Sequence, residues 1–473
     1  MQLHTKKFFL ICCILFLFSF SAALAAPLRV HPTNPRYFTD DTGNAIYMTG
    51  AHAWPTLRDM HPPTENFDFP AYLDQTIQYD LNFIRVWAWD LPKYTCNNPI
   101  QGRAEPFPWE RTGPGNATDG KPKFDLSKLN QAYFDRLRER VELARSRGVY
   151  LSIMLFEAFE LRFCRSSTDG FPLTGSNNIN GIDAGTGTGA LTLSNPAVLA
   201  VQENYVRKVL DTLNDFDHIV YEIANEGGRE STDWQIHMIN FIKTYEAGKP
   251  KQHLVGMTFQ YPDGDNTTLF NSPADWISPG IPGGSSGDTR YRDNPPANDG
   301  SKVIITDTDH LWGVGGSPDW VWKSFLRGLN PIYMDPYHPE LWAETDYSML
   351  RAMKQTRRYA KKINLDHMTP QNSLASTGYC LAGCGEYLVF LPSGWGSVDL
   401  SGISGTLTVE WFSTSNDSVH SGGTVSGGAT RSFSAPFSGA AVLYLKSTSQ
   451  SCDSSPTRKV NIGSLMNLLL TKG

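Results

Sequence analysis

The sequence predicts an α/β protein, a (β/α)8 TIM barrel followed by a small all-β antiparallel sandwich. Eight short apolar runs alternate with amphipathic helices over the first 370 residues, which is typical of a parallel sheet. Eight such units favour closure into a barrel, and an open doubly wound sheet is the alternative. After residue 370 the helical periodicity ends, and short alternating runs separated by turn residues predict the antiparallel sandwich.

The predicted barrel strands are short, apolar and bounded by turn residues. In chain order they are Ile46–Thr49, Asn82–Ala88, Val149–Phe156, Ile219–Ala224, Leu254–Phe259, Asp275–Ser278, Val303–Thr306 and Pro331–Met334. A helix is predicted from about Ser127 to Arg147, with Gly148 as its stop. Another is predicted to start after Thr232, where Gln235 completes a capping-box pattern.

Long segments follow several predicted strands, and the longest of them are residues 90–123 and 157–195. Segments of this length without regular structure are usually functional or disordered. Because all of them follow strands, they are expected at the carboxyl end of the barrel. Tryptophans in and beside these segments predict an aromatic-rich rim there: Trp87, Trp89, Trp109, Trp276 and Trp312.

Residues 1–25 predict an export signal. Lys6 and Lys7 precede an apolar run, Phe8–Phe20, which is too short to span a membrane comfortably. Ala23-Leu24-Ala25 matches the small-residue pattern of a cleavage site. We therefore expect a secreted, extracytoplasmic protein that is cut after Ala25, and no later segment is apolar enough to be a membrane helix.

The expected mature chain divides into a barrel domain (26–370), a C-terminal sandwich (371–448) and a tail (449–473) for which the sequence predicts no structure. The sandwich strands are predicted from alternating polar and apolar residues. They are Glu386–Leu391, Ser397–Leu400, Thr406–Phe412, Ser432–Ala435 and Ala441–Leu445.

Composition excludes some partners. The formal charge is −6, and removal of Lys6 and Lys7 makes it −8 (−6 − 2), which argues against nucleic acid or an anionic membrane as the partner. The sequence contains no H-E-x-x-H motif and no complete phosphate-binding loop, so no metal and no cofactor is expected. Aromatic residues make up 12% of the chain and favour an oligosaccharide or polysaccharide partner modestly, while the oligomeric state stays undetermined.

Five cysteines follow the predicted cleavage site, and an oxidising compartment makes disulfides expected. Cys380 and Cys384 lie four residues apart in a Gly-containing loop, which predicts a local bridge between them. A bridge between Cys96 and Cys164 would join the segments after the second and third strands. Cys452 then has no partner.

The stretch HIVYEIANEGG, residues 218–228, is the most informative part of the sequence. A β-branched run ends on Asn225-Glu226 and is followed at once by a Gly-Gly turn, which predicts a buried strand with a carboxylate at its end. In a (β/α)8 barrel the carboxyl ends of the strands form the catalytic mouth. Glu226 is therefore a candidate catalytic acid, and the Asn225 amide is a candidate ligand of a sugar hydroxyl.

A second carboxylate is expected across the mouth from Glu226. The seventh strand ends on Asp307 and Asp309, and strands four and seven lie nearly opposite each other in an eight-stranded barrel. Hydrolysis of a glycosidic bond needs two carboxyl groups, one to protonate the leaving oxygen and one to attack or to activate water. Asp307 and Asp309 share strand parity, so the sequence does not rank them.

These residues resemble the clan A glycoside hydrolases, a retaining (β/α)8 group. The resemblance implies that Glu226, after Asn225, is the acid/base and that Arg85 in NFIRVW supports the nucleophile on the seventh strand. At the nucleophile position this chain has Ile-Thr-Asp307 where the clan has Thr-Glu. Because Asp is shorter by one methylene, either the backbone compensates and the enzyme retains configuration, or it inverts through a water molecule.

A closer resemblance covers the whole mature chain. It is similar to secreted barrels with an apiosidase-like catalytic domain, whose C-terminal domain carries the label of a collagen-binding domain of a collagenase. The matching stretches are FTDDTGNAIYMTGAHAW, DTDHLWGVGGSPDWVWKSFLRGLNPIYMD and APFSGAAVLYLK. Nothing in these residues supports peptide cleavage.

Other residues are weaker candidates. Substrate contact is expected from strand-end residues: Asn225, Arg85, His52, Trp54, Trp87, His310 and Trp312. Glu222 is expected to pair with an Arg inside the barrel, and Glu157 is a possible substrate-binding group or alternative acid. Two functions fit, a secreted glycoside hydrolase acting on a plant or microbial polysaccharide, and a catalytically inactive barrel that binds glycan or extracellular matrix protein. The sugar and linkage are not encoded in any pattern that the sequence displays.

Overall fold

The computed structural model describes residues 26–61, 67–94, 102–185, 187–284, 288–335, 344–450 and 452. The predicted export signal, residues 1–25, and most of the predicted tail lie outside these ranges. Within the described ranges, no helix has both the length and the apolar character that a membrane span requires.

Eight parallel strands close into a barrel, as the sequence predicts. The strands are β1 (Gly50–His52), β2 (Phe83–Val86), β3 (Tyr150–Glu157), β4 (Ile219–Asn225), β5 (Val255–Thr258), β6 (Trp276–Ser278), β7 (Val303–Asp307) and β8 (Asn330–Met334). Each strand pairs with the next in the chain, and β8 pairs with β1. All eight carboxyl ends therefore lie at one mouth of the barrel.

The first barrel strand is not where the sequence placed it. Ile46 ends a strand (Ala45–Ile46) that belongs to a small antiparallel sheet with Arg29–Val30 and Phe38–Thr39, and the barrel strand is Gly50–His52. A Cβ atom on Gly50 would overlap the carbonyl group of Phe83 on β2. The close approach of two strands thus selects a glycine, which strand propensity disfavours.

A helix follows each barrel strand in the described part of the chain. The helices are α1 (Phe69–Gln78), α2 (Gln131–Ser146), α3 (Pro196–Leu213), α4 (Thr232–Glu246), α5 (Asn266–Asn271), α6 (Arg290–Asp293), α7 (Pro318–Leu326) and α8 (Glu344–Lys362). An additional helix, Ala158–Phe163, follows β3 directly. Shorter 3-10 turns are Gly175–Asn177, Gly187–Leu191, Arg229–Ser231, Thr308–His310, Leu365–His367 and Asn372–Leu374.

Side-chain caps set two helix starts differently from the prediction. The Asn130 side chain accepts a hydrogen bond from Ala132 N, so α2 begins at Gln131 rather than near Ser127, which lies in a strand. At α4 the cap residue is Ser231, and the Gln235 side chain donates to the Ser231 hydroxyl at 2.8 Å rather than completing a capping box with Thr232.

The long segments after β1 and β2 contain strands of their own. Asp59–His61, Lys93–Tyr94 and Gly102–Glu105 form one antiparallel sheet, and Trp109–Asn116 pairs with Pro122–Leu129. The segments that join β1 to β2 and β2 to β3 therefore contain regular structure of their own.

The C-terminal domain is an antiparallel sandwich, as predicted. Its strands are Thr369–Pro370, Cys380–Gly383, Glu386–Leu391, Trp395–Asp399, Thr406–Ser413, Val419–Ser426, Thr430–Ser434 and Ala441–Ser447. Six of them form one sheet, and Trp395–Asp399 pairs with Thr430–Ser434 in a second. Val419–Ser426 was not predicted, because this edge strand is exposed and rich in Gly and Ser, so it has no alternation of apolar residues.

The sandwich packs on the two helices that follow β7 and β8. Trp322 of α7 stacks on Phe390 of the larger sheet, with ring centroids 6.3 Å apart and planes 8° apart. Tyr359 of α8 meets Phe412 edge to face at 5.4 Å. These aromatic contacts form one buried apolar cluster shared by barrel and sandwich.

The predicted local bridge between Cys380 and Cys384 is wrong. Cys384 pairs with Cys452, with Cα atoms 5.0 Å apart, and Cys380 is a free, buried thiol. Cys380 lies in a strand and points into the sandwich core, whereas Cys384 lies in the following turn with a left-handed backbone (φ 52°). Cys164 is disulfide-bonded, but Cys96 lies outside the described residues, so their pairing stays a prediction.

Candidate active site

Arg85 on β2 lies at the centre of a buried charge network. Its guanidinium is 2% exposed and binds Glu222 of β4 through two hydrogen bonds, Nε to Oε2 at 2.8 Å and Nη2 to Oε1 at 2.6 Å. Glu222 is fully buried, and the predicted pairing of Glu222 with an arginine inside the barrel is confirmed. This two-point contact fixes the plane of the guanidinium inside the barrel.

The remaining donors of Arg85 point towards the mouth. Nη2 donates to Asn225 Oδ1 at 2.7 Å, and Nη1 donates to Asp307 Oδ2 at 3.2 Å and to Asp309 Oδ2 at 3.1 Å. A single cation therefore holds residues from β4 and from the end of β7. The aromatic ring of Trp87 lies 5.0 Å from the guanidinium carbon and covers one face of it.

Glu226 follows β4 in a strained turn. Its φ is +48°, in the left-handed region that a non-glycine residue seldom adopts. The turn continues through Gly227 and Gly228, where a Cβ atom would overlap side chains of Ser231 and Glu230 respectively. Strained backbone of this kind is common at functional sites.

The Glu226 carboxyl group is placed to hold a proton. It is 6% exposed, and no residue in the described ranges donates a hydrogen bond to it. Burial and the charges of Asp309 and Glu157 raise the pKa of Glu226 well above its usual range, against the opposing effect of Arg85. A buried carboxyl beside like charges is the environment that produces a general acid at neutral pH.

Asp307 has the opposite environment. It accepts hydrogen bonds from His52 Nε2 at 3.0 Å, from Arg85 and from the backbone N–H of Asp309 at 3.0 Å. Burial alone would raise the pKa of Asp307, but His52 and Arg85 hold it well below its usual range. Asp307 is 1% exposed, so it is an ionised group with its oxygens already occupied.

Asp309 is the more accessible of the two aspartates. Its side chain is 10% exposed, and Arg85 donates to Oδ2. Burial raises the pKa of Asp309 above its usual range, although Arg85 opposes the rise. The charge of Asp309 is also the largest single charge effect on Glu226. Of the two candidates, Asp309 is therefore the more exposed and has the stronger charge effect on Glu226.

The same aspartates could be considered as metal ligands. Ligand atoms of His52, Asp307 and Asp309 lie within 4.8 Å of one another. Arg85 donates to both carboxylates, however, so a metal ion there would be repelled by the buried guanidinium or would have to displace it. The donor set therefore fits a cationic side chain better than it fits a metal ion.

His310 is a neutral hydrogen-bonding group. Burial and the charge of Arg85 lower the pKa of His310 to about 3. Its Nε2 lies 3.2 Å from Asn225 Oδ1 and its Nδ1 lies 2.8 Å from the hydroxyl of Ser278 on β6. Since Asn225 Oδ1 only accepts, Nε2 carries the proton and Ser278 donates to Nδ1.

A cluster of carboxyl groups lies behind Asn225. The Asn225 Nδ2 group donates to Glu157 Oε1 at 2.8 Å, and Glu157 Oε2 accepts from the N–H of Glu160 at 2.6 Å. Asp90 accepts from the N–H of Glu157 at 2.8 Å. Burial raises the pKa of Asp90 to about 7 and that of Glu157 to about 8. Burial and two like charges also raise the pKa of Glu160 well above its usual range.

Most of the candidate site residues come together, and most of the tryptophans predicted for the rim are buried. Arg85, Asn225, Asp307, His52 and His310 join one network. The predicted rim tryptophans Trp87, Trp89, Trp109 and Trp276 are each 6% exposed or less. Trp54 contacts Trp87 and Trp89, with centroids 6.5 and 5.7 Å away, and Trp312 packs edge to face on Trp320 of α7 at 5.2 Å.

Three site residues were missed by sequence reasoning. Ser278 ends β6, and the strand-end position was the signal that could have identified it. Asp90 and Glu160 lie just beyond β2 and β3, where an acidic residue without a motif resembles any surface carboxylate. Their burial depends on packing between segments that are distant in sequence, with Glu160 accepting from the N–H of Leu91 at 2.5 Å.

Comparison with known proteins supports the barrel fold. No family model matches the sequence, and no curated protein matches it either. Among solved structures, one described as a glycoside hydrolase superposes with a TM-score of 0.59 and 14% identity, covering 90% of this chain and 97% of its own. A glycoside hydrolase family 5 structure from Bacteroides vulgatus ATCC 8482 has a TM-score of 0.59 and 14% identity, covering 89% of this chain and 93% of its own. This chain therefore shares its fold, over nearly its whole length, with glycoside hydrolases.

Proposed function

We propose that this protein is a secreted glycoside hydrolase that cleaves O-glycosidic bonds of a plant or microbial polysaccharide with two carboxyl groups, Glu226 and Asp309. The observation that carries the proposal is the contrast between the two groups. Glu226 is buried without a hydrogen-bond donor in the described ranges, whereas Arg85 donates to Asp309. Glu226 is thereby suited to give a proton, whereas the guanidinium bound to Asp309 favours the anionic form of that carboxyl group.

In the proposed reaction, Glu226 protonates the glycosidic oxygen as the bond to the anomeric carbon breaks. An Asp309 oxygen attacks the anomeric carbon and forms a glycosyl ester. Water then hydrolyses the ester, Glu226 takes a proton from that water, and Asp309 is released as a carboxylate. Net retention of configuration follows from the two displacements.

The neighbouring residues are assigned positioning roles. Asp307 holds Arg85 through its Oδ2 and His52 through its Oδ1, and Arg85 in turn orients Asp309. Asn225 is fixed by Arg85, Glu157 and His310, so its amide is not free to rotate. His52 and Trp87 are buried and contact these groups, which favours support of the network over direct contact with sugar.

The fold shared with glycoside hydrolases supports the reaction class, and the apiosidase-like sequence stretches support a plant or microbial glycan. The predicted export signal supports secretion. The alternative is a catalytically inactive barrel that binds glycan or matrix protein. The observation that favours it is the aspartate at the end of β7, which is shorter than the glutamate expected there.

The test is hydrolysis by purified protein of a panel of aryl glycosides and soluble plant and microbial polysaccharides. We expect new reducing ends with at least one polysaccharide, and ~10²-fold fewer or none of them with the Glu226→Gln variant. Proton NMR of the first product shows whether the anomeric configuration is retained or inverted. Inversion would mean that Asp309 activates a water molecule instead of attacking the anomeric carbon. Binding to a polysaccharide without any hydrolysis would favour the inactive alternative.

A further inference from the structure

Three aromatic side chains form a partly exposed cluster on the segments that flank the end of β4. They are Phe159 and Phe163 of the helix after β3, and Tyr261 of the segment after β5; we call them the aromatic platform. Ring centroids of the two phenylalanines lie 4.8 Å apart, and Tyr261 lies 6.3 Å from Phe159 and 6.1 Å from Phe163. Phe163 is 50% exposed and Tyr261 is 38% exposed.

The topology places the platform at the catalytic mouth. β3 and β5 are the two barrel neighbours of β4, and Glu157, which ends β3, is in register with Asn225. Residues that follow β3 and β5 therefore flank the end of β4, where Glu226 lies. Neighbouring strands are about 4.8 Å apart, so the platform begins within a few strand widths of the acid.

Arg162 holds the platform rigid and joins it to the Glu226 turn. Its guanidinium lies over the Phe163 ring at 4.9 Å, donates to the carbonyl of Tyr261 and donates to Glu230 Oε1 at 3.1 Å. A Cβ atom on Gly228 would overlap this guanidinium, so the second glycine after Glu226 permits the contact. The platform and the turn that carries the acid are thus parts of one fixed unit.

Exposed aromatic rings that are held rigid stabilise the fold little, because much of their apolar surface stays in water. The same arrangement lowers the entropy lost when a ligand binds. Fixed polar groups border the rings, since the Arg162 guanidinium beside Phe163 forms an ion pair with the Glu230 carboxylate. Apolar faces bordered by fixed polar groups match a sugar ring, which has a C–H face and hydroxyl edges.

We propose that the aromatic platform is a subsite that binds a sugar residue on the leaving-group side of the bond that is cleaved. Glu226 protonates the oxygen of the leaving group, so the part of the substrate beyond that oxygen lies on the side of Glu226 rather than of Asp309. The inference rests on the proposed function and assigns a further binding site to it. It implies that the substrate extends beyond the scissile bond by at least one sugar.

The test measures binding separately from hydrolysis. We would introduce three further changes into the Glu226→Gln protein. The first is the double variant Phe163→Ala, Tyr261→Ala, the second is Phe163→Tyr, which preserves the ring, and the third is Trp395→Ala. Trp395 is a matched control, because it is 68% exposed but lies on the sandwich. The probes are soluble xyloglucan, glucomannan, arabinoxylan and rhamnogalacturonan in affinity gel electrophoresis, with thermal unfolding of each variant measured in parallel.

We expect at least one polysaccharide to retard the Glu226→Gln protein. The double variant should bind that polysaccharide roughly 5- to 10-fold more weakly, the change that the loss of an aromatic contact produces. Phe163→Tyr and Trp395→Ala should bind unchanged. No retardation by any probe, equal retardation of the double variant and its parent, or an equal loss in Trp395→Ala would overturn the proposal.

The outcome is distinguishable from failure of the proposed function. Hydrolysis by the wild type together with unchanged binding by the double variant rejects the subsite and keeps the hydrolase. Weaker binding by the double variant without any hydrolysis by the wild type keeps a sugar-binding site at the platform and rejects the hydrolase. When both hold, the Phe163→Ala, Tyr261→Ala protein should show a higher KM for the polysaccharide, and Trp395→Ala should leave that KM unchanged.

Discussion

The Asn225 Oδ1 atom accepts a hydrogen bond from Arg85 Nη2 at 2.7 Å, which links β4 to β2 across the intervening strand β3. The same guanidinium holds the end of β7, so one side chain sets the relative positions of the two candidate carboxyl groups. Asn225 immediately precedes Glu226, whose backbone is strained. The geometry of the acid therefore depends on a residue that makes no hydrogen bond to it.

Glu226→Gln should slow the hydrolysis of natural glycosides by ~10²-fold or more, because the amide cannot donate a proton to the leaving oxygen. Aryl glycosides with good leaving groups should be affected less. The raised pKa of Glu226 should place the alkaline limb of the wild-type kcat/KM profile well above the usual range of a glutamate. The exposed Glu139→Gln is the matched control, and full activity of Glu226→Gln on a natural substrate would refute the assignment.

Asp309→Ala should be inactive, and added azide should restore cleavage of an aryl glycoside, since a small anion can replace the missing nucleophile in the space left by the side chain. Asp307→Ala should also be inactive but should not be rescued. Product analysis by NMR detects the glycosyl azide. If azide restored the activity of Asp307→Ala and not that of Asp309→Ala, Asp307 would be the nucleophile and Asp309 the positioning residue.

Arg85→Met should lower the free energy of unfolding by ~3–5 kcal/mol, because it leaves Glu222 and Asp307 buried without their cation. Urea unfolding measures the change. Arg138→Ala removes an exposed pair with Asp215, whose side chains are 45% and 58% exposed, and should cost about 1 kcal/mol or less. Equal effects of the two substitutions would contradict the central role of Arg85.

Asp90→Asn should alter the dependence of stability on pH. Burial raises the pKa of Asp90 to about 7, so between its ordinary value and pH 7 the folded protein keeps a proton that the unfolded chain releases. The free energy of unfolding then falls as pH rises through this window. Asn keeps the oxygen that accepts from Glu157 N–H but does not titrate.

From pH 5 to pH 8, the free energy of unfolding of Asp90→Asn should therefore rise relative to that of the wild type by ~2 kcal/mol. Thermal or urea unfolding at several pH values measures it. Asp135→Asn on the exposed face of α2 should show no such trend. A parallel pH dependence for Asp90→Asn and wild type would show that Asp90 is ionised in the folded protein.

Peptide mapping of the unreduced protein should find Cys384 linked to Cys452 and Cys380 as a free thiol after unfolding. The sequence-based prediction of a Cys96–Cys164 link should appear in the same map. Loss of the Cys384–Cys452 bridge in Cys384→Ser should lower Tm, because the bridge closes a loop of 68 residues in the unfolded chain. A Cys380–Cys384 peptide would contradict the structure.

The sequence alone determined the barrel and the location of the mouth. Apolar periodicity is a local property, so it identified seven of the eight strands approximately and gave the strand count. Asn225-Glu226 and Arg85 lie at strand positions that a parallel barrel must direct to one end. The short first strand was not predicted, because the close contact with Phe83 requires a glycine at position 50 and strand propensity disfavours glycine.

Only the tertiary structure decided the properties of individual groups. Asp307 and Asp309 have the same parity in sequence, and they differ because His52 from β1 binds one of them and leaves the other more exposed. The neutral state of His310 and the burial of Asp90 depend on neighbours from other strands. Protonation and pairing are set by distances between residues far apart in the chain, and these distances exist only after the barrel has closed.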